Sequence, residues 1–209
     1  MELLKNMLAA FGDYPKLTAI LIIAVVLAVF VCIMAGRASS RMNKIRNAEL
    51  EKIKEEVRLR KKFEYISESD VRNADCNELL KGLTSNIQIK LEKEADMKEA
   101  FLALPKEKQF VYALCFVYCE DADSLSSFFR LNGKPLTTAA KDAFCEIIGG
   151  DEAKLFERAY LMFDDDDETT SVTAEETEEN DKKFENFDTD LIFGKILDYI
   201  ANSAEIFNK

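Results

Sequence analysis

Two kinds of side chain in this 209-residue chain could do chemistry: thiols and clustered carboxylates. Cys115 and Cys119 lie four residues apart in the run FVYALCFVYC, so a helix would place both sulfurs on one face. Two thiols at that spacing could begin a metal site. A third and fourth ligand are missing, because the chain has no histidine and Cys145 stands alone. The five cysteines show no paired spacing of a disulfide frame, and a cytoplasmic compartment keeps thiols reduced. Buried thiols in an apolar helix are the expectation, with no metal and no cofactor. The carboxylates cluster at Glu120, Asp121 and Asp123 and again at Asp164, Asp165, Asp166 and Asp167. No nucleophile sits beside a plausible base, and no glycine-rich phosphate loop occurs. Catalysis is not expected. The two carboxylate groups are instead the candidate partner-binding residues, suited to a basic protein surface.

The element that must position everything else is residues 17–36, LTAILIIAVVLAVFVCIMAG. Twenty residues without charge or proline, at about 1.5 Å each, span about 30 Å, the thickness of a bilayer's hydrocarbon core. A cleaved signal peptide would have a shorter apolar core and a small-residue cleavage site. A lipoprotein would need a small residue before Cys32, where Val31 stands. A buried core helix rarely runs to this length without charge. A single transmembrane helix is therefore the expectation. Only Lys5 and Lys16 precede it, whereas ten Lys and Arg residues lie between Arg37 and Lys62. Basic flanks stay on the cytoplasmic side. The orientation expected is a short extracytoplasmic segment over residues 1–16 and a cytoplasmic remainder in a bacterial cell membrane. Leu3, Leu4, Met7, Leu8 and Phe11 share one face of that outer segment, which suits either an interfacial helix or a frayed leader.

Charge divides the chain further. Residues 1–63 carry a net +6 and residues 64–209 a net −17, against −11 overall. A basic stalk over residues 37–66 suits anionic headgroups. Its apolar residues keep no heptad, so a solvated spacer helix is expected rather than a coiled coil. The acidic remainder repels nucleic acid, so no direct nucleic-acid partner is expected, and it favours a protein partner that is basic.

Past the stalk no strand alternation occurs, and the fold class expected is all-α: a compact multi-helix domain over residues 67–163. A short helix should end near Gly82, and a longer one should run over 85–104 with Ile87, Leu91, Phe101 and Leu102 inward. Residues 110–119, apolar on every side, belong at the domain centre, with their two tyrosines finding polar partners. Asp123 should cap a helix carrying Phe128 and Phe129, and Asn132-Gly133 should stop it. Gly149-Gly150 should end the next helix, and Asp151 should cap the one after. Residues 164–187 form an acidic linker too poor in apolar groups to order itself. Residues 188–209 regain a helical pattern and should pack back on the domain, with Ile192, Ile196 and Tyr199 in one row.

Residues 76–209 resemble the DNA-mimic protein family, a set of helical bacterial proteins. The matching pieces are Leu104-Pro105, Tyr112-Ala113-Leu114, Phe128-Phe129 followed by Asn132-Gly133, and Ile147-Ile148-Gly149. Leu155, Ala159 and Phe163 continue the match, and Asp190-Leu191, Tyr199-Ile200, Ala204-Glu205 and Phe207 resemble its closing helix. The family's Asn-Gly-Gly-Phe turn is replaced here by Ala122-Asp123-Ser124-Leu125, and the membrane anchor departs from its usual pattern. The resemblance implies binding rather than catalysis, through carboxylates that stand in for DNA phosphates before a basic DNA-binding protein.

Overall fold

The computed structural model describes residues 46–119, 124–163 and 173–208, together with Phe30 and Met34. The chain divides into two compact units, Met1–Lys54 and Glu55–Lys209. In the first, residues 46–54 are helical and solvated, with Lys54 paired to Glu51 at 2.7 Å. Among the described residues no helix is long and apolar enough to cross a membrane. The expected span at 17–36 lies outside the described residues except for Phe30 and Met34, and the outer segment 1–16 lies wholly outside them.

The regular elements of the second unit are all helices, and no strand occurs among its described residues. Its helices are α1 (Glu68–Arg72), α2 (Cys76–Leu91), α3 (Met97–Leu102), α4 (Lys106–Tyr118), α5 (Leu125–Leu131) and α6 (Leu136–Ala143). A π-helical turn, Phe144–Ile148, leads to α7 (Gly150–Met162), α8 (Ala174–Glu185), α9 (Thr189–Asn202) and α10 (Ala204–Phe207). The all-α expectation matches this architecture.

Residues 55–66 correct the solvated-spacer expectation. Leu59, Phe63 and Ile66 are each buried to within 4% of full exclusion and join the core. Burying three such side chains is worth about 1.5–3 kcal/mol each, far more than any exposed charge pair on the same turns. Gly82 makes the approach possible. A Cβ there would sit 2.5 Å from the Phe63 ring and 2.8 Å from the Leu59 carbonyl oxygen. So Gly82 does not end a helix, as expected from sequence, but lies in the middle of α2 where another backbone crosses it. Asn86 of α2 donates through Nδ2 to the carbonyls of Arg60 and Phe63, both at 3.1 Å. Those carbonyls close a helix end and have no helical partner of their own.

The 85–104 helix is also corrected. It is interrupted after Leu91, and Asp96 caps a separate α3 by accepting from the Lys98 and Glu99 N–H groups at 2.8 and 3.1 Å. Leu102 then points outward, at 55% exposure, while Ile87, Leu91 and Phe101 are buried. At the end of α1's approach, Ser67 and Asp70 form a reciprocal capping box, so the expected break over 67–75 contains a turn of helix.

The central position expected for the FVYALCFVYC run is correct. Phe110 to Cys115 and Val117 of α4 are buried, packed between α2 and α6. Its tyrosines differ. Tyr112 donates to Gln88 Oε1, whereas the Tyr118 hydroxyl has no hydrogen-bond partner among the described residues. Tyr118 sits among the rings of Phe144, Phe184 and Phe193, at centroid distances of 6.1, 5.9 and 5.5 Å. Gly149 and Gly150 both take positive φ, +67° and +69°, which turns the chain sharply into α7. Asp151 is not the cap there. It lies in α7's first turn and pairs with Lys154 at 2.9 Å.

The closing helix packs on the domain as expected, through Ile192, Ile196 and Ile200. Tyr199, placed in that row from sequence, is half-buried against Phe110 at 6.2 Å. Asn208 fixes the end by accepting the Ile66 N–H at 2.8 Å and donating to its carbonyl at 2.9 Å.

Candidate interaction surface

The seven carboxylates singled out from sequence, Glu120, Asp121, Asp123 and Asp164 to Asp167, lie outside the described residues. What the structure describes is the ground on either side of them. Ser124, not Asp123, caps α5, accepting the Ser127 N–H at 3.2 Å. Phe163, which follows α7, stacks on Phe129 of α5 at 5.7 Å with ring planes 4° apart.

Helix α8 occupies half of the stretch expected to be a disordered linker, and it packs on α5 and α7. Its sequence holds six acidic and two basic residues, yet it is ordered for identifiable reasons. Thr173 and Glu176 form a capping box, with the Glu176 N–H donating to Thr173 Oγ1 at 3.2 Å. Thr177 and Asn180 are buried, and Phe184 meets both Tyr118 and Phe144. Asp181 reaches across to α5, accepting the Ser126 N–H at 2.8 Å and its hydroxyl at 2.6 Å. A carboxylate at that helix start satisfies an orphan N–H and faces the positive end of the backbone dipoles.

The outer face of α8 is therefore a fixed acidic surface. Lys182 and Lys183 pair with Glu178 and Glu179, each at 2.6 Å, and hold both carboxyls below the usual range. Glu175 and Glu185 stay exposed beside them. Along α7 an open groove is lined by Lys154, Glu157, Arg158, Leu161 and Met162. A second charge cluster joins Arg58 and Lys62 to Glu78 at 2.8 and 2.5 Å, which lowers the Glu78 pKa.

Among the described cysteines Cys76 and Cys115 are buried, Cys119 is half-buried and Cys145 is exposed. Burial pushes Cys76 up to about 12 and also raises Cys145, so both stay protonated at neutral pH. Cys119 donates to Asn77 Oδ1 at 3.4 Å. Among the described residues no group of three His, Cys, Asp or Glu could hold a metal ion.

Sequence reasoning missed α8 and its Asp181. The Thr173-x-x-Glu176 box was a usable signal, followed by Phe184 and Phe187 one turn apart. The Asp181 contact had no local signal, since its partner lies 55 residues away. Comparison with known proteins finds no matching family model, no matching curated protein and no matching solved structure.

Proposed function

We propose that this chain is a membrane-anchored protein-interaction module, non-catalytic, that holds a helical domain at the cytoplasmic face of a bacterial membrane. The observation that carries the reading is the uncharged stretch 17–36 followed at once by ten basic residues. Supporting it, residues 55–209 form one compact unit whose helix α8 offers carboxylates on an ordered scaffold. A basic patch on a partner protein is the surface such a helix attracts.

The test has two arms. Membranes from cells making the full chain are washed with alkaline carbonate, and alkaline phosphatase is fused at the C-terminus. The chain should stay with the lipid and the fusion should be inactive. Release by carbonate, or an active fusion, overturns the reading.

The alternative is a DNA-mimic regulator that sequesters a basic DNA-binding protein. The order of α8 favours it, because carboxylates one helical turn apart, about 5 Å, then keep a fixed spacing. The lysine pairs on Glu178 and Glu179 weaken it by cancelling charge on that face. Mimicry requires partner binding that falls steeply with salt and is competed by duplex DNA. Binding insensitive to both would exclude it.

A further inference from the structure

Most of the polar contacts that order helix α8 lie within it. The Thr173–Glu176 capping box and the pairs Glu178–Lys182 and Glu179–Lys183 are local, and in both pairs the acid precedes the base, the favourable order. Four side chains turn inward at helical spacing: Thr177, Asn180, Asp181 and Phe184. Thr177 spends its hydroxyl on its own helix, donating to the Ala174 carbonyl at 2.8 Å. Asn180 donates to the Met162 sulfur, a weak acceptor, at 3.1 Å. Among the described residues, the strong contacts to the domain are then made by Asp181 and Phe184. Asp181 takes the Ser126 N–H and hydroxyl at 2.8 and 2.6 Å, and the Phe184 ring meets Tyr118 and Phe144 at 5.9 and 6.3 Å. Helix α9 is the opposite case, held by Ile192, Ile196 and Ile200, each at 1% exposure or less.

The rings beneath α8 also hold one another. Phe144 stacks on Phe156 at 4.0 Å, and Tyr118 meets Phe144 and Phe193 at 6.1 and 5.5 Å. We propose that α8 is the resident occupant of a docking groove on α5 and α7, and that an amphipathic helix of a partner protein binds there by displacing it. The partner helix carries an aspartate and a phenylalanine three residues apart, as Asp181 and Phe184 are. Its carboxylate takes the Ser126 donors and its ring joins Tyr118 and Phe144. A seat already formed lowers the ordering cost of such docking.

Exchange is a competition between helices of like chemistry. The partner meets only the fraction of molecules whose α8 has opened, so its apparent affinity is reduced by that fraction. A helix whose cap and ion pairs travel with it keeps them when it leaves, which lowers the cost of opening. The Ser126 N–H and hydroxyl select a carboxylate over a cation, and the ring cluster selects an aromatic side chain over a second charge. A basic partner attracted to the outer face of α8 touches a different surface. This inference therefore goes beyond the tether reading and does not depend on it.

The test uses the full chain in a nonionic detergent. Its probe is a fluorescein-labelled peptide with the sequence of residues 173–188, read by fluorescence polarisation. Saturable binding is expected, about tenfold tighter to Asp181→Ala, whose resident helix has lost its carboxylate and opens more often. A peptide carrying Asp181→Ala and Phe184→Ala should not bind. Hydrogen exchange of the unsubstituted chain supplies a reading that needs no variant to fold. With a heavy-isotope peptide, so that the two copies of the sequence differ in mass, residues 174–185 of the chain should lose protection as peptide is added. Absence of saturable binding to both chains overturns the proposal, as does equal affinity for the two. Equal binding of the doubly substituted peptide overturns it too, as does binding that leaves 174–185 protected. Self-association of Asp181→Ala in sedimentation, reversed by the peptide, would assign the groove to a second copy's α8 and overturn the partner reading.

Discussion

Residues 55–66 and helix α8 are two twelve-residue stretches of similar charge density, with seven and eight charged residues respectively. Both look solvated on paper, and the fold holds them by different means. The first is anchored by Leu59, Phe63 and Ile66, spaced so that all three reach the core, and by a glycine that admits them. The second has only Phe184 to offer, half-buried, and is held largely by polar contacts: a capping box, buried Thr177 and Asn180, and Asp181 on Ser126. Apolar anchors are worth kilocalories each. A polar contact nets about 1 kcal/mol, because water competes for it. Residues 55–66 should therefore open only with the whole unit, whereas α8 should open locally at lower cost.

Phe63→Ala is the largest expected blow to that contrast. It removes a buried ring and should lower unfolding stability by about 3–5 kcal/mol, read by chemical denaturation of the full chain. A loss under 1 kcal/mol would place residues 55–66 outside the cooperative unit. Gly82→Ala comes next and tests the sign. Alanine would gain about 1 kcal/mol as a helix former. The Leu59 carbonyl, 2.8 Å from the new Cβ, is backbone and yields little, so a net loss of about 1–3 kcal/mol is expected.

Asp181→Ala should cost about 1–2 kcal/mol, since the Ser126 N–H and hydroxyl both lose their acceptor. Its signature is local: proteolytic cleavage within 174–185 should rise while the unfolding midpoint moves little.

Much of the domain is legible in the sequence because its signals are local. The all-apolar α4, the Gly149-Gly150 turn and the inward Ile192 and Ile196 each follow from a few neighbouring residues, whereas Ile200 takes the buried place that the sequence pattern assigns to Tyr199. What is not legible depends on distant partners. Gly82 reads as a stop until Phe63 is seen against it, and Asp181 reads as one more acid until Ser126 is seen beneath it. The contacts of Arg130 with the Phe163 ring and of Lys134 and Lys141 with the Tyr160 ring join residues that no single window brings together. The carboxylates first chosen, Glu120 to Asp123 and Asp164 to Asp167, flank this region in sequence.

Acid should weaken the hold on residues 55–66 by a modest amount. Lys62 and, after it, Arg58 lower the Glu78 pKa from its ordinary 4.5 by hydrogen bonding to its carboxylate, so the folded state binds the proton less readily than the unfolded one. The stabilisation is present above 4.5 and is lost as pH falls below it. Thermal melts of the parent should drop across that range, and Glu78→Gln should flatten part of the drop. An unchanged slope would mean the cluster carries no linkage. The smallest effect expected is at Tyr118. Its hydroxyl is buried without a hydrogen-bond partner among the described residues, so Tyr118→Phe removes a desolvated group and should be neutral or stabilising by up to about 1 kcal/mol. A clear loss by denaturation would reveal a partner for the hydroxyl.

Hydrogen exchange of the full chain, followed by mass spectrometry over 55–66 and 174–185, tests most directly whether α8 is a fixed acidic surface. Both segments should be protected at neutral pH, 55–66 to nearly the global unfolding limit and 174–185 to a lower but measurable level. Exchange of 174–185 at the rate of an unstructured peptide would contradict the account and return that stretch to a solvated linker.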